Sequence, residues 1–141
     1  MITLQFSSTS HPASRLICWG TWSRHSHVDF VLPDGRLLGA VPGGVRVRPY
    51  DPSALRIERY HVDASDTVLS VALAQLGKHY DWPGALGLAL RRNWQEDDAW
   101  FCSELVAWSF EQAGRPLLNA PQAWRLTPRD ILLSPLLRQL K

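Results

Sequence analysis

The sequence predicts an α+β fold in which an antiparallel sheet packs against helices. Three observations carry this. Short segments of alternating apolar and polar residues, separated by turn signals, fill the chain up to Val62. Beyond Ser65 the apolar period becomes helical. Strands therefore come first and helices after, which favours segregated layers over a βαβ alternation. At 141 residues, 45% hydrophobic and 20% charged, the chain reads as one domain, 1–141, with enough volume for a core.

The elements follow in order. Ile2, Leu4 and Phe6 alternate with polar residues and predict a first strand. Arg15 to Trp22 is apolar and fits either helix or strand. His27 to Leu32 is a strand, Pro33-Asp34-Gly35 a turn, and Arg36 to Val41 the returning partner. Pro42-Gly43-Gly44 turns the chain into Val45 to Pro49, and Leu55 to Val62 alternates again. Ser65 or Asp66 caps a helix carrying Val68, Leu69, Ala72, Leu73 and Leu76, stopped by Gly77. Pro83 to Arg91 and Ala99 to Ala113 are further helices, the latter ended by Gly114 and Pro116. Thr127-Pro128-Arg129-Asp130 starts a capped helix, and Leu136 to Leu140 is read as a short tail helix.

Composition narrows the function. A net charge of +2 with scattered arginines argues against a nucleic-acid partner. Most of the seven tryptophans are expected in the core, and some lining a cleft. Cys18 and Cys102 make no disulfide framework. His25 and His27 share a strand face by alternation, but no third ligand has zinc spacing, so neither metal nor cofactor is expected. Met1 to Pro12 lacks the basic start and apolar run of a signal peptide, and no apolar run is long enough to span a bilayer. The expectation is a soluble protein, cytoplasmic or phage-associated, with no integral membrane segment.

Two segments carry chemistry. Trp100-Phe101-Cys102-Ser103-Glu104-Leu105-Val106 puts a thiol at the start of an apolar helix, where the dipole favours thiolate. Ser26-His27-Val28-Asp29-Phe30-Val31-Leu32 puts an imidazole at the start of a strand. Distant in sequence, the two can meet as nucleophile and base. On these residues alone, a buried structural cysteine beside an unrelated strand histidine is the plainer account.

The surrounding segments change that balance. His27 precedes Cys102 by 75 positions, the reverse of the order in papain-like and NlpC-type enzymes. Five segments resemble the circularly permuted branch of that superfamily, including YiiX-like and lecithin retinol acyltransferase-like proteins. They are Ser26-His27-Val28 with Asp34-Gly35; Gly39-Ala40 with Gly43-Gly44-Val45; Gly77-Lys78-His79-Tyr80-Asp81-Trp82; Phe101 to Val106; and Thr127-Pro128-Arg129-Asp130. The resemblance covers roughly residues 15 to 135 and extends to small proteins of phage and prophage regions. It implies a permuted papain-like fold and a cysteine hydrolase of amide or ester bonds. Cys102 would be the nucleophile and His27 the base, with Tyr80 beside the site as oxyanion donor or substrate contact. Cell-wall peptides are the commonest substrates of the superfamily, and lipid acyl groups the alternative in this branch. A binding or assembly module with little or no activity is the competing class.

One departure stands out. Relatives carry a polar orienter on the strand after the histidine strand, and here that position is Gly39. A misoriented base can lose about 10⁴ in rate. Asp29, two residues from His27, shares its strand face and is the possible orienter, although a solvated strand charge is the ordinary reading. If that gap limits activity, supplying an acid through Gly39→Glu is expected to raise it. His25 is expected to face solvent as a weaker alternative base, Cys18 to be a buried small hydrophobe, and His11, His61 and His79 to have no reactive partner. The dipole alone accounts for Glu104.

Overall fold

Alternation does its predicted work at the N terminus. In the computed structural model, which describes residues 1–83, 99–119 and 126–140, β1 runs Ile2–Ser8. Ile2, Leu4 and Phe6 turn to the core, while Gln5 and Ser7 are buried on the opposite face. β2 (His27–Val31) and β3 (Leu37–Val41) form the expected hairpin around Gly35, whose φ is +83°. β4 (Gly44–Arg48) and β5 (Leu55–Val62) follow, and every pairing in this sheet is antiparallel. With β8 (Leu137–Gln139) at the far edge, the strand order is β4-β3-β2-β1-β5-β8.

One face of the sheet is the core. Val28, Phe30, Leu38, Ala40 and Val45 meet Leu105, Val106 and Phe110 of α3 (Cys102–Gln112), with the Phe30 and Phe110 rings stacked at 6.1 Å. α2 (Thr67–Leu73) adds Val68 and Ala72. The other face mixes Leu37 and Val41 with polar side chains, and the β1–β2 register sets Gln5 against Asp29 and Ser7 against His27. That face carries the site.

Four segments differ from the sequence expectation, each for a physical reason. The ambiguous segment is α1, Pro12–Thr21, begun by Pro12 in its first turn and by His11, whose ring accepts from the Ala13 N–H. α2 ends at Leu73, short of Gly77, because tight bonds from Gln75 to Ala72 and Leu76 to Leu73 replace the helical ones. The cysteine helix starts at Cys102 rather than Ala99. Ala99–Trp100 instead forms β7, paired in parallel with β6 (His79–Tyr80), and Phe101 stays extended at φ −106°, ψ 167°. The tail is a strand, β8 (Leu137–Gln139), because the open edge of β5 at Tyr60–Val62 captures it. α4 (Pro128–Leu132) has the predicted capping box between Thr127 and Asp130. The helix expected over Pro83 to Arg91 lies outside the described residues beyond Pro83.

Candidate active site

Backbone close approach places Tyr80. Gly44 has φ +111°, and a Cβ there would sit 2.5 Å from the Lys78 carbonyl oxygen. Glycine therefore lets the Gly77–Lys78 segment bond to Val45 from both sides, N–H of Val45 to Lys78 O and N–H of Gly77 to Val45 O, each at 2.9 Å. Two residues on, β6 pairs with β7 and sets Tyr80 opposite Trp100, just before Cys102.

Cys102 is the first residue of α3, with extended Phe101 as N-cap and no side chain capping the helix. The first helical bond runs from the Leu105 N–H to Phe101 O, so the Cys102 N–H precedes it and has no helical acceptor. The thiol is 5% exposed and its sulfur lies 3.9 Å from the Ser26 carbonyl oxygen.

His27 joins the pieces. Its Nε2 lies 2.8 Å from Asp29 Oδ1, and the ring is within electrostatic reach of the Cys102 sulfur. Burial works against charge on the ring. The Asp29 carboxylate with its hydrogen bond, and the Cys102 sulfur, outweigh it and push His27 up to about 10. At neutral pH this describes an imidazolium held between a carboxylate and a sulfur.

Asp29 is fully buried and is no solvated strand charge. Arg48 grips it in a two-pronged pair, Nη1 to Oδ1 at 3.0 Å and Nη2 to Oδ2 at 2.7 Å. Burial would raise the carboxyl, but His27 and then Arg48 prevail and hold it below the usual range. Arg48 Nη2 also lies 3.1 Å from His27 Nε2. With Nε2 donating to Asp29, that approach sets two donors around one shared carboxylate.

Gly39 now has a reason. A Cβ on Gly39 would overlap Asp29 Oδ1. The carboxylate expected from the strand after the histidine strand comes instead from the histidine strand itself and fills the space over the glycine. Gly39→Glu would therefore displace the group it was meant to replace. This corrects both the solvated reading of Asp29 and the expected gain from that substitution.

Tyr80 is half-buried, and burial, the Cys102 sulfur and Asp81 all push its hydroxyl well above the ordinary range, keeping it a donor. Its ring meets Trp82 edge-on at 5.0 Å. A cleft of about 350 Å³ opens on His27, Asp29, Arg48 and Tyr80, with a largely apolar wall that includes Leu16, Ile17, Leu37 and Val41. Cys102 is not part of that wall.

The remaining candidates fall elsewhere. His25 precedes β2, is 2% exposed rather than solvent-facing, and lies 3.6 Å from Glu58, with burial pushing it toward the neutral form. Cys18 is half-buried on α1, and burial raises its thiol. Arg48 was missed by sequence reasoning. Its only sequence signal is a cation at the end of a strand two strands from His27, and register alone brings it to Asp29.

No family model and no curated protein matches the chain. Among solved structures it resembles the metalloprotein YiiX from Escherichia coli O157:H7, of the group labelled DUF1105, with a TM-score of 0.77. Identity is 18% over 99% of this chain and 95% of that one. The likeness establishes the shared α+β fold with its six-stranded antiparallel sheet.

Proposed function

We propose that the chain is one permuted NlpC-type papain-like domain acting as a cysteine hydrolase on an amide or ester bond. The observation that carries this is the His27 ring held between the Asp29 carboxylate and the Cys102 sulfur at a helix start. Cys102 as thiolate attacks the carbonyl carbon, and the developing oxyanion accepts from the Cys102 backbone N–H. The His27 imidazolium gives its proton to the leaving amine or alcohol, leaving a thioester. His27, now neutral, takes a proton from water, and the hydroxide releases the acid and regenerates the thiolate beside the imidazolium. Asp29 orients the ring and balances its charge. Arg48 orients Asp29. Tyr80 offers a second hydroxyl donor.

The resemblance points to a cell-wall peptide as substrate. The apolar cleft wall of Leu16, Ile17, Leu37 and Val41 favours a second reading, a lipid acyl group. YiiX is described as a metalloprotein. Among the described residues no three His, Cys, Asp or Glu side chains are grouped as metal ligands, and both Asp29 oxygens are engaged by Arg48. That donor set does not fit a resident metal, and no step is routed through one.

Alkylation by iodoacetamide, located by mass spectrometry, tests the nucleophile. Cys102 should label preferentially at about pH 6 to 7, with Cys18, raised by burial, following only above the ordinary thiol value of about 8.5. Equal labelling of the two thiols would reject an activated nucleophile and favour a binding module. Trapping of a Cys102 acyl adduct with a panel of short peptides and fatty-acyl esters then separates the two substrate readings.

A further inference from the structure

α1 is turned the wrong way round for a core helix. It buries Ser14, Gly20 and Thr21 and exposes its large apolar side chains. Leu16 is 40% exposed and Trp19 74%, and Trp22, its C-cap, is 75% exposed. Trp22 also holds a left-handed backbone, φ 53° and ψ 37°, a conformation that a bulky side chain rarely adopts. Leu133, 71% exposed at the end of α4, shares a shallow depression with Trp22. The apolar patch therefore spans two helices.

Basic residues outnumber acidic ones around it. Arg15 lies on α1, Arg129 lines the depression beside Trp22 and Leu133, and Arg24 and Arg56 act electrostatically on His25 nearby. No acidic residue occurs before Asp29. Asp130 also lines the depression, its carboxylate accepting from Thr127 in the α4 capping box, and Glu58 accepts from the Tyr60 hydroxyl at 2.7 Å. Exposed tryptophan and leucine ringed by arginine match the interfacial zone of an anionic bilayer, where indole rings settle at headgroup level and arginines meet phosphates. A second copy of the same face would bring like charges together. Ala13, Leu16 and Ile17 of the same helix also line the cleft wall.

We propose that the exposed face of α1, with Trp19, Trp22 and Leu133, docks this protein on anionic membranes. Docking is a property of this face and does not depend on Cys102 chemistry. Co-sedimentation of the full chain with vesicles tests it. Equimolar phosphatidylcholine and phosphatidylglycerol vesicles should carry the chain down, and phosphatidylcholine alone should carry about tenfold less. Trp19→Gln/Trp22→Asn should lose about tenfold in partitioning, and asparagine accepts the left-handed backbone. Leu133→Asn and Arg129→Glu, on another helix, should each weaken binding in a chain that keeps α1 intact. Cys102→Ala should sediment like the parent, so a failed hydrolase assay and a failed docking assay are separate results. Equal sedimentation of parent and tryptophan variant overturns the proposal. So does a dimer without vesicles that the tryptophan variant abolishes, since the face would then serve a second copy.

Discussion

At Asp29 the molecule buries charge, and along α1 it exposes tryptophan. Either choice alone works against stability. Taking a carboxylate out of water carries an effective penalty of several kcal/mol, and leaving a large apolar side chain in water forgoes about 1.5–3 kcal/mol. The two regions differ in how the deficit is met. Asp29, His27, Arg48 and Cys102 answer one another inside the chain. Nothing among the described residues covers Trp19 or Trp22. The first region is a closed electrostatic unit, and the second is complementary to something outside.

Breaking the closed unit should have the largest effect. Asp29→Ala leaves the Arg48 guanidinium and the His27 imidazolium together without a counter-ion, and unfolding in urea should show a loss of about 3–5 kcal/mol. In the same variant kcat/KM, or the Cys102 alkylation rate at neutral pH, should fall well beyond tenfold, about 1.4 kcal/mol. A stable variant with near-parental reactivity would make Asp29 a spectator.

Gly39 tests the same unit from above. Gly39→Ala should destabilise by about 1–3 kcal/mol, as overpacking does, because the new methyl overlaps Asp29 Oδ1. Gly39→Glu should lower reactivity for the same reason. Once Asp29→Ala has emptied the space, Gly39→Glu should become less harmful, and a double-mutant cycle measures that coupling. Additive effects would mean that Asp29 and Gly39 do not share the orienter space.

pH should separate the regions with a smaller signal. The folded value of His27 is raised from 6.5 to about 10. Its stabilisation is therefore whole below about 6.5 and lost as pH climbs from there through about 10. Asp29 runs the other way, held below 3.8, so its contribution is whole above that value and lost as pH falls through its lowered folded value. Cys102→Ala removes the sulfur that helps Asp29 hold His27 up, and NMR titration should show the imidazolium deprotonating at lower pH. An unchanged titration would leave the sulfur no part in the unit.

The sequence reveals these regions unevenly. His27 and Cys102 were legible because each sits where an apolar run begins, and period fixes the element. The hairpins were legible from Asp34-Gly35 and Gly43-Gly44. Asp29 was placed on the right face but misjudged, since alternation tells which face a side chain takes and not what roofs that face. The roof is made by Arg48 and the vacancy at Gly39, both products of register. The tail failed for a related reason. Leu136, Leu137 and Leu140 suit a helix or a strand, and an open sheet edge decided. α1 was ambiguous because its large apolar residues do not face the core, the very property that sets it apart.

Trp22 gives the smallest effect and the cleanest contrast, because there a substitution should stabilise. It caps α1 in the left-handed region, its backbone N–H bonding Cys18 O and Trp19 O while the indole stays largely in water. Glycine keeps those bonds and removes the Cβ conflict. Relief of that strain opposes the extra freedom glycine gives the unfolded chain, and a left-handed bulky residue costs about 1–3 kcal/mol. Trp22→Gly should therefore raise stability by about 1 kcal/mol, while Trp19→Gln on regular helix stays within about 0.5 kcal/mol of the parent. Urea midpoints at constant m-value measure both. A destabilised Trp22→Gly would show that the indole supports the fold, and the contrast between a self-sufficient site and an outward-facing helix would fail at its most exposed residue.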